Sequence, residues 1–465
     1  MERAPIGTAA RPLRVVIIGT GPAGFFAAQT LTRARDLHVR IDLVERLPTP
    51  FGLVRGGVAP DHASIKRISR RFARIADDER VRFFGNVHIG RDVHIAELRA
   101  HYDAVVVATG AESSRRMRAP GEDLDGVSSA TAFTFWYNGH PDYADLSFAL
   151  DRVKRAAVVG NGNVALDAAR ILCLSDEALR ETDIAPGALR SLADRAVQRV
   201  DVLGRRGPAQ ASFTAPEIRE LGRKPGLSPR LDPEELALGP ATRALQDRLG
   251  LDPRREKVLR ELEALAAMEP AEGREVHLRF RVGVQAFLGD GQGRLRAVRL
   301  VRNALVEEDG RILAIPTGEP WEEPCELALT AVGYRGVPID GLPFDDARGI
   351  VPNEGGRVQA AWGHKFLRGL YVTGWARRGP SGVVGTNKPD AESAVSALLD
   401  DIAGQKAACE PAPDLAALLA ERGVRVVDWA AWQRIDAAEQ AAGAEEGRPR
   451  RKHTDWDALL AAAGV

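Results

Sequence analysis

Cysteine is scarce: Cys173, Cys325 and Cys409 stand far apart in 465 residues and form no Cys-x-x-Cys pair. That excludes a redox-active vicinal disulfide and a zinc ribbon, and it removes a resident iron–sulfur cluster, which takes four thiolates as a rule. It also points to a reducing compartment. Net charge is absent too, with 64 Lys+Arg against 64 Asp+Glu, so nothing in the balance asks for nucleic acid or an anionic membrane as a general partner. No apolar run reaches transmembrane length and no signal-peptide core is present, so a soluble protein without membrane insertion is expected. The chain exceeds one ordinary core, and two domains or more follow. The excess of Arg over Lys, with much Ala, reads as nucleotide bias in the genome.

What is present is organised around residues 15–24, four apolar residues running into Gly-Thr-Gly-Pro-Ala-Gly. The apolar run reads as a buried strand, and Phe25, Phe26, Ala27, Ala28 and Leu31 give the following helix its apolar face. In such a strand–turn–helix, Gly19 permits the turn, Gly21 lets a pyrophosphate approach the backbone, and Gly24 lets helix and strand pack closely. About twenty residues on, a second strand ends in Glu45, whose carboxylate suits ribose hydroxyls.

Residues 47–62 are too rich in Pro and Gly for a helix or central strand and read as a long loop that can lie against a planar ring, with Gly56 and Gly57 bringing backbone close to it. Residues 63–76 read as one helix, apolar at Ile65, Ile68, Phe72 and Ile75 and basic at Lys66, Arg67, Arg70, Arg71 and Arg74. Short strands are expected at Phe83–Phe84 and 86–89, and a buried strand over 102–110 ends in Ala-Thr-Gly and closes the first nucleotide-binding unit.

Residues 155–167 repeat the opening pattern through Gly160, Asn161, Gly162, Asn163 and Val164, with Ala165 in place of the third glycine. The strand that follows ends in Gly204, Arg205 and Arg206 where an NAD-binding unit carries its acid, and paired guanidiniums there suit the 2′-phosphate of NADP. Residues 225–270 are helical in period; strands are expected over 276–282 and 295–301, with a turn at 289–293. A second strand-to-glycine exit at 327–335 returns the chain to the first domain. Residues 369–375 read as a strand into a turn, and 379–387 as a glycine loop before a helix over 390–399. The tail after Pro411 carries Trp429, Trp432 and Trp456 without a chemical signature and reads as a packing appendage.

These stretches, in particular 47–66, 160–170, 204–220, 341–352, 369–390 and 435–452, resemble the adrenodoxin reductase family of ferredoxin–NADP reductases, nearest to its bacterial, cytoplasmic members. The resemblance covers nearly all of the chain beyond the first dozen residues. It implies an α/β fold of two Rossmann-like dinucleotide-binding domains, the NADP domain inserted in the FAD domain: a flexible tail at 1–12, FAD-binding parts at 13–112 and 331–465, and an NADP-binding domain at 113–330. The implied activity is hydride transfer from NADPH to FAD and single-electron transfer to a separate ferredoxin-type iron–sulfur protein, a cytochrome P450 being one option downstream. Carried over by position, the resemblance implies that FAD contacts Ala23, Glu45, Leu53, Val87, Trp375 and Gly382, Val383 and Val384, while NADP contacts Arg115, Asn161, Gly162, Asn163, Val164, Arg205, Arg206, Glu217 and Gly382.

His62 and Glu220 are the candidates for a catalytic pair facing each other across the domain cleft. The basic face at Arg67, Arg70 and Arg74 is the first candidate for docking an acidic partner, with Arg219, Arg223 and Lys224 next. A disulfide reductase of the same architecture lacks its cysteine pair here. A flavin-dependent NADPH monooxygenase and a non-catalytic FAD/NADP-binding sensor are the alternatives that residue types leave open.

Overall fold

The computed structural model describes residues 4–250, 252–403, 405 and 414–465; Cys409 lies outside the described residues. Its frame is a seven-stranded sheet in the order Asn353–Glu354, Arg357–Gln359, Phe366–Val372, Ala104–Val107, Leu13–Ile18, Val39–Val44, Val81–Phe84. The five strands from Phe366–Val372 to Val81–Phe84 are parallel. Both of its faces are covered, which is why Val15, Val16, Ile17 and Ile18 form one continuous apolar run instead of alternating.

The first turn is closed by backbone contact. Gly19 takes φ +97, the helix Pro22–Arg33 starts on a proline, and a Cβ on Gly24 would stand 2.1 Å from the Gly19 carbonyl oxygen. Gly21 differs: nothing lies within 4 Å of a Cβ placed there, so its freedom from side-chain bulk faces open space.

The second sheet has six strands in the order Val127–Ser129, Leu327–Thr330, Arg155–Val159, Arg199–Gly204, Arg274–Phe280, Leu227–Arg230. Every one of its strands comes from residues 127–330, between two strands of the first sheet. Ala165, fully buried on the helix Asn163–Cys173, does there what Gly24 does in the first turn. The two chain crossings meet: Ser113–Ser114 pairs antiparallel with Tyr334–Arg335 as a separate ribbon.

Four local expectations change. The single strand anticipated at 276–282 is two: Arg274–Phe280 stays in the second sheet, Arg281 takes φ +56, and Val282–Gly289 enters a three-stranded antiparallel sheet with Leu295–Glu308 and Arg311–Pro324. Residues 227–230, read as helical, form an edge strand, the position where Pro229 is tolerated. The helix over 63–76 breaks into Ala63–Lys66 and Ser69–Ala76, and residues 86–89 do not form a strand because Asn86 turns the chain at φ +60.

Residues 4–12, expected as a flexible tail, are tied down. Gly7 N–H donates to the Arg11 carbonyl at 2.8 Å, His38 N–H donates to Gly7 at 2.9 Å, and Arg11 grips both carboxylate oxygens of Asp103 at 2.7 and 3.0 Å. A bidentate pair of this kind offsets the entropy of ordering a terminus.

The two glycines of the first turn separate packing from function. Gly24→Ala should lower stability by about 1–3 kcal/mol, measured as a shift in urea midpoint at constant m, whereas Gly21→Ala should leave the midpoint of the ligand-free protein unchanged; equal losses at both positions would refute the distinction.

Candidate functional site

The two glycine turns, one from each sheet, open toward one cavity of about 850 Å³, within the range of roughly 300–1,000 Å³ of small-molecule sites. Gly19, Gly21, Ala23, Glu45, Leu53, Val87 and Trp375 line it from the first sheet, Gly382, Val383 and Val384 from the late loop, and Asn163, Val164 and Glu217 from the second sheet, with His62 between them. The remaining predicted positions stand off this wall. Gly24 packs on Gly19, Gly160 turns at φ +143 against Ala331, and Gly162 opens freely. Arg115 follows the ribbon strand Ser113–Ser114, its Nε donating to the Tyr334 carbonyl at 3.4 Å.

Neither helix N-terminus at these turns is capped by a side chain: Gly21 precedes Pro22–Arg33 and Gly162 precedes Asn163–Cys173. Each leaves free N–H groups and a positive dipole end beside a glycine without neighbours, the arrangement that receives phosphate. The Glu45 carboxylate is held by Thr20, whose N–H and hydroxyl donate to Oε2 at 3.0 and 2.7 Å, and by the Leu47 N–H, which donates to Oε1 at 3.2 Å. Lone pairs on that fixed carboxylate remain for ribose hydroxyls. His88, a residue that the sequence pattern did not single out, also lines the cavity and leaves Nδ1 buried without a hydrogen-bond partner among the described residues.

At the other end Asn161 fills the space beside Gly204, while its carbonyl accepts from the N–H groups of Ser212 and Phe213 at 2.7 and 3.1 Å. Arg205 and Arg206 follow, anchored through their carbonyls by the Asn303 amide and the Arg281 N–H at 2.9 Å each. Burial, then the charges of Arg205 and of Arg255, hold the Arg206 guanidinium below its ordinary value. Arg255 comes from the helix Pro253–Ala266, which packs against the Pro208–Gln210 turn. The charges of Arg205 and Arg255 thus both bear on Arg206.

Between the two sheets the cleft closes on charged groups. Asp61 and His62 end the glycine-rich loop; Asp167 and Arg170 share one face of Asn163–Cys173, and Glu217 and Glu220 one face of Ala215–Leu221, each pair at the i, i+3 spacing. Arg170 has no exposed side-chain surface and reaches Asp61 at 2.8 and 3.0 Å, Asp167 at 2.7 Å and Glu217 at 3.5 Å. The His62 ring places Nε2 3.3 Å from both Asp167 and Glu217, and Nδ1 3.4 Å from Glu220. The sequence-predicted pair is therefore within reach, but as part of a larger cluster. Lys224 completes it, 3.0 Å from Asp61.

Burial disfavours the His62 imidazolium, but hydrogen bonds to Asp167 and Glu217 outweigh it together with the nearby Arg170, raising the pKa from 6.5 to about 10. Arg170 Nη2 also stands 2.5 Å from Nε2, a contact that favours a neutral ring; the surrounding carboxylates decide for the charged one. His62, Glu217 and Glu220 bring their donor atoms within 4.8 Å of one another, yet Arg170 already supplies the cation there.

Because the folded-state pKa of His62 lies above its ordinary value, the stabilisation from its ion pairs is complete below pH 6.5, declines above it and is lost past about pH 10. The stability gap between wild type and His62→Gln should narrow over that interval, read from urea midpoints across pH; a gap that widens with pH would refute the charged assignment.

Comparison with known proteins places this geometry. Residues 13–201 match the family described as pyridine nucleotide-disulphide oxidoreductase. The chain is 44% identical over 462 residues to the NADPH-ferredoxin reductase FprA of Mycobacterium tuberculosis, covering 97% of this chain and 99% of that protein. It is 41% identical over 466 residues to the mitochondrial NADPH:adrenodoxin oxidoreductase of Homo sapiens, covering 97% and 92%. The solved structure of Mycobacterium tuberculosis FprA in complex with NADPH superposes with a TM-score of 0.91 at 43% identity, over 98% of this chain and 100% of that one. With near-complete coverage at this identity, the chain belongs to the adrenodoxin reductase-type family of ferredoxin–NADP reductases.

Proposed function

We propose that this chain is an FAD-containing ferredoxin–NADP(+) oxidoreductase that takes a hydride from NADPH and delivers electrons singly to a small iron–sulfur protein. The carrying observation is the pair of uncapped glycine turns opening toward one cavity, one followed by a carboxylate at Glu45 and the other by arginines at Arg205 and Arg206. Acid at one end and base at the other fit two different dinucleotides.

The residues fit FAD. The cradle beside Gly21, the fixed carboxylate of Glu45 and the orphaned His88 nitrogen are complementary to a pyrophosphate, a ribose and a further acceptor group. Bound FAD supplies the two-electron to one-electron conversion. The chain supplies placement. Trp375 is fixed by its Nε1–H bond to the Ser381 carbonyl at 3.1 Å and by Tyr334, whose ring centroid is 5.5 Å away. The helix Asn387–Ile402 begins at the cavity, where its dipole favours negative charge. His62, Asp167 and Glu217 give the cleft a fixed, largely buried charged wall suited to positioning the nicotinamide, and hydride transfer needs no nucleophile.

For the partner, Arg67, Arg70 and Arg74 are exposed on the segment that leaves the glycine-rich loop, a cationic face suited to an acidic iron–sulfur protein. The final acceptor beyond it, a cytochrome P450 being one option, is set by that partner.

An anaerobic NADPH titration of the purified flavoprotein, with NADH in parallel, tests the reading: preferential bleaching by NADPH and ferredoxin-dependent cytochrome c reduction support it, while a flavin that bleaches and passes nothing to any ferredoxin refutes it. Arg205→Ala, Arg206→Ala and Arg255→Ala should each raise KM for NADPH roughly tenfold to a hundredfold and leave KM for NADH nearly unchanged. Equal effects on both cofactors would remove the 2′-phosphate from the account. Reversing the charges at Arg67, Arg70 and Arg74 should weaken ferredoxin reduction in a salt-dependent way and spare reduction of small acceptors; loss of the small-acceptor rate alone would place the docking face elsewhere.

A further inference from the structure

The tail, which the sequence offers as a packing appendage, carries charge into the junction between the domains. Residues 446–455 link the helix Trp429–Glu445 to the helix Trp456–Ala463. Lys452, with 1% of its side chain exposed, reaches Asp183 at 3.1 Å and donates to the carbonyls of Asn138 at 3.2 Å and Arg55 at 3.4 Å. Lys66 donates to the same Asp183 carboxylate at 2.7 and 2.8 Å and to the Asn138 side chain at 3.1 Å. Arg448 donates to the carbonyls on either side of Asp183, those of Thr182 and Ile184. Three consecutive residues of the inserted domain, whose Ile184 is fully buried in that domain's core, are thus gripped from the other domain.

The grip is braced from behind. Glu439, with no exposed side-chain surface, pairs with Arg55 at 2.6 Å and Arg450 at 3.0 Å and accepts from the His453 N–H at 3.0 Å. Arg55, Asn138 and His453 also line the central cavity. Two buried lysine nitrogens share one carboxylate, an arrangement that is poor as a source of stability. Burial lowers both lysines, while Asp183 stays ionised between them. The covalent link between the domains is the two-stranded ribbon at 113–114 and 334–335, about which they can pivot. Beside the Arg170–Asp61 contact, the Asp183 cluster is a further attachment that restricts that freedom.

We propose that Lys66, Asp183, Arg448 and Lys452 are positioning residues that lock the inserted domain against the flavin domain and so set the approach of nicotinamide to flavin. The inference rests on the reductase reading. The locking groups lie outside both dinucleotide turns and should govern the rate of transfer rather than the affinity for NADPH.

Asp183→Asn and Lys452→Met, purified with FAD bound, test this by stopped-flow flavin reduction and by hydrogen exchange of peptides spanning residues 182–193 without NADPH. The limiting reduction rate should fall about tenfold to a hundredfold, with the NADPH dissociation constant within about twofold of wild type. Exchange should rise, and the double variant should be no slower than the slower single one. An unchanged limiting rate, or a loss confined to NADPH affinity, overturns the proposal. Where either variant loses FAD, Arg448→Gln carries the same test, since it leaves the lysine–carboxylate cluster intact; loss of FAD there too makes the segment a folding element and overturns the lock. A wild-type flavin that NADPH leaves oxidised would sink the reductase reading itself, whereas variants as fast as a competent wild type sink only the lock.

Discussion

A guanidinium without exposed surface must be surrounded by acceptors, and Arg170 finds them on both domains. Asp61 comes from the loop that follows the first sheet's second strand; Asp167 and Glu217 come from helices of the second sheet. Isolated burial of that charge would be prohibitive, so Asp61 of one domain joins Asp167 and Glu217 of the other around it. Several features follow from this one constraint. The loop before His62 is held across the cleft, the imidazole sits among carboxylates that keep it charged, and Lys224 is drawn in to balance Asp61.

Around this charged floor the cavity walls are built from backbone and from stiff apolar groups. The Gly19–Gly24 contact fixes one turn and the Gly160–Ala331 contact the other, leaving the faces at Gly21 and Gly162 bare. Phe51, at φ +82, packs with Phe25, Phe72, Trp429 and Trp432, so the start of the glycine-rich loop is pinned by the first helix and by the tail. Arg55 lies over Trp432 at 5.3 Å and joins that aromatic cluster to Glu439. The tail is thus continuous with the cavity wall through both apolar and ionic contacts.

What could be read from the sequence is what depends on short spacing. Gly19, Gly21 and Gly24, Glu45 at the end of the next strand, and Arg205 and Arg206 at the end of theirs each report a local geometry, and the two repeated turns mark the two dinucleotide-binding units. Arg170 and Asp183 carry no such mark. Their partners on the other domain lie more than a hundred residues away in sequence, as with Asp61 at a separation of 109 and Lys66 at 117, so the contacts between domains leave no local pattern. Arg255 sits on a helix whose charged surface looks like any solvated face until the Pro208–Gln210 turn is packed against it. The strand at 276–282 misled for a different reason: apolar residues stand on both sides of Arg281, and its positive φ marks where the chain passes from one sheet to another.

The nesting of one domain inside the other also orders events on the ribosome. All six strands of the inserted sheet are synthesised by Thr330, and its core can close once that segment has left the exit tunnel. The surrounding sheet is then still unfinished, because Ala104–Val107, buried in the completed protein, must wait for Phe366–Val372 to cover its open side. Throughout that interval the nascent chain presents an unpaired, wholly apolar strand beside the first glycine turn, the kind of edge that recruits other chains. The domain encoded in the middle matures first, and the half-built outer sheet is the species for a chaperone to shield.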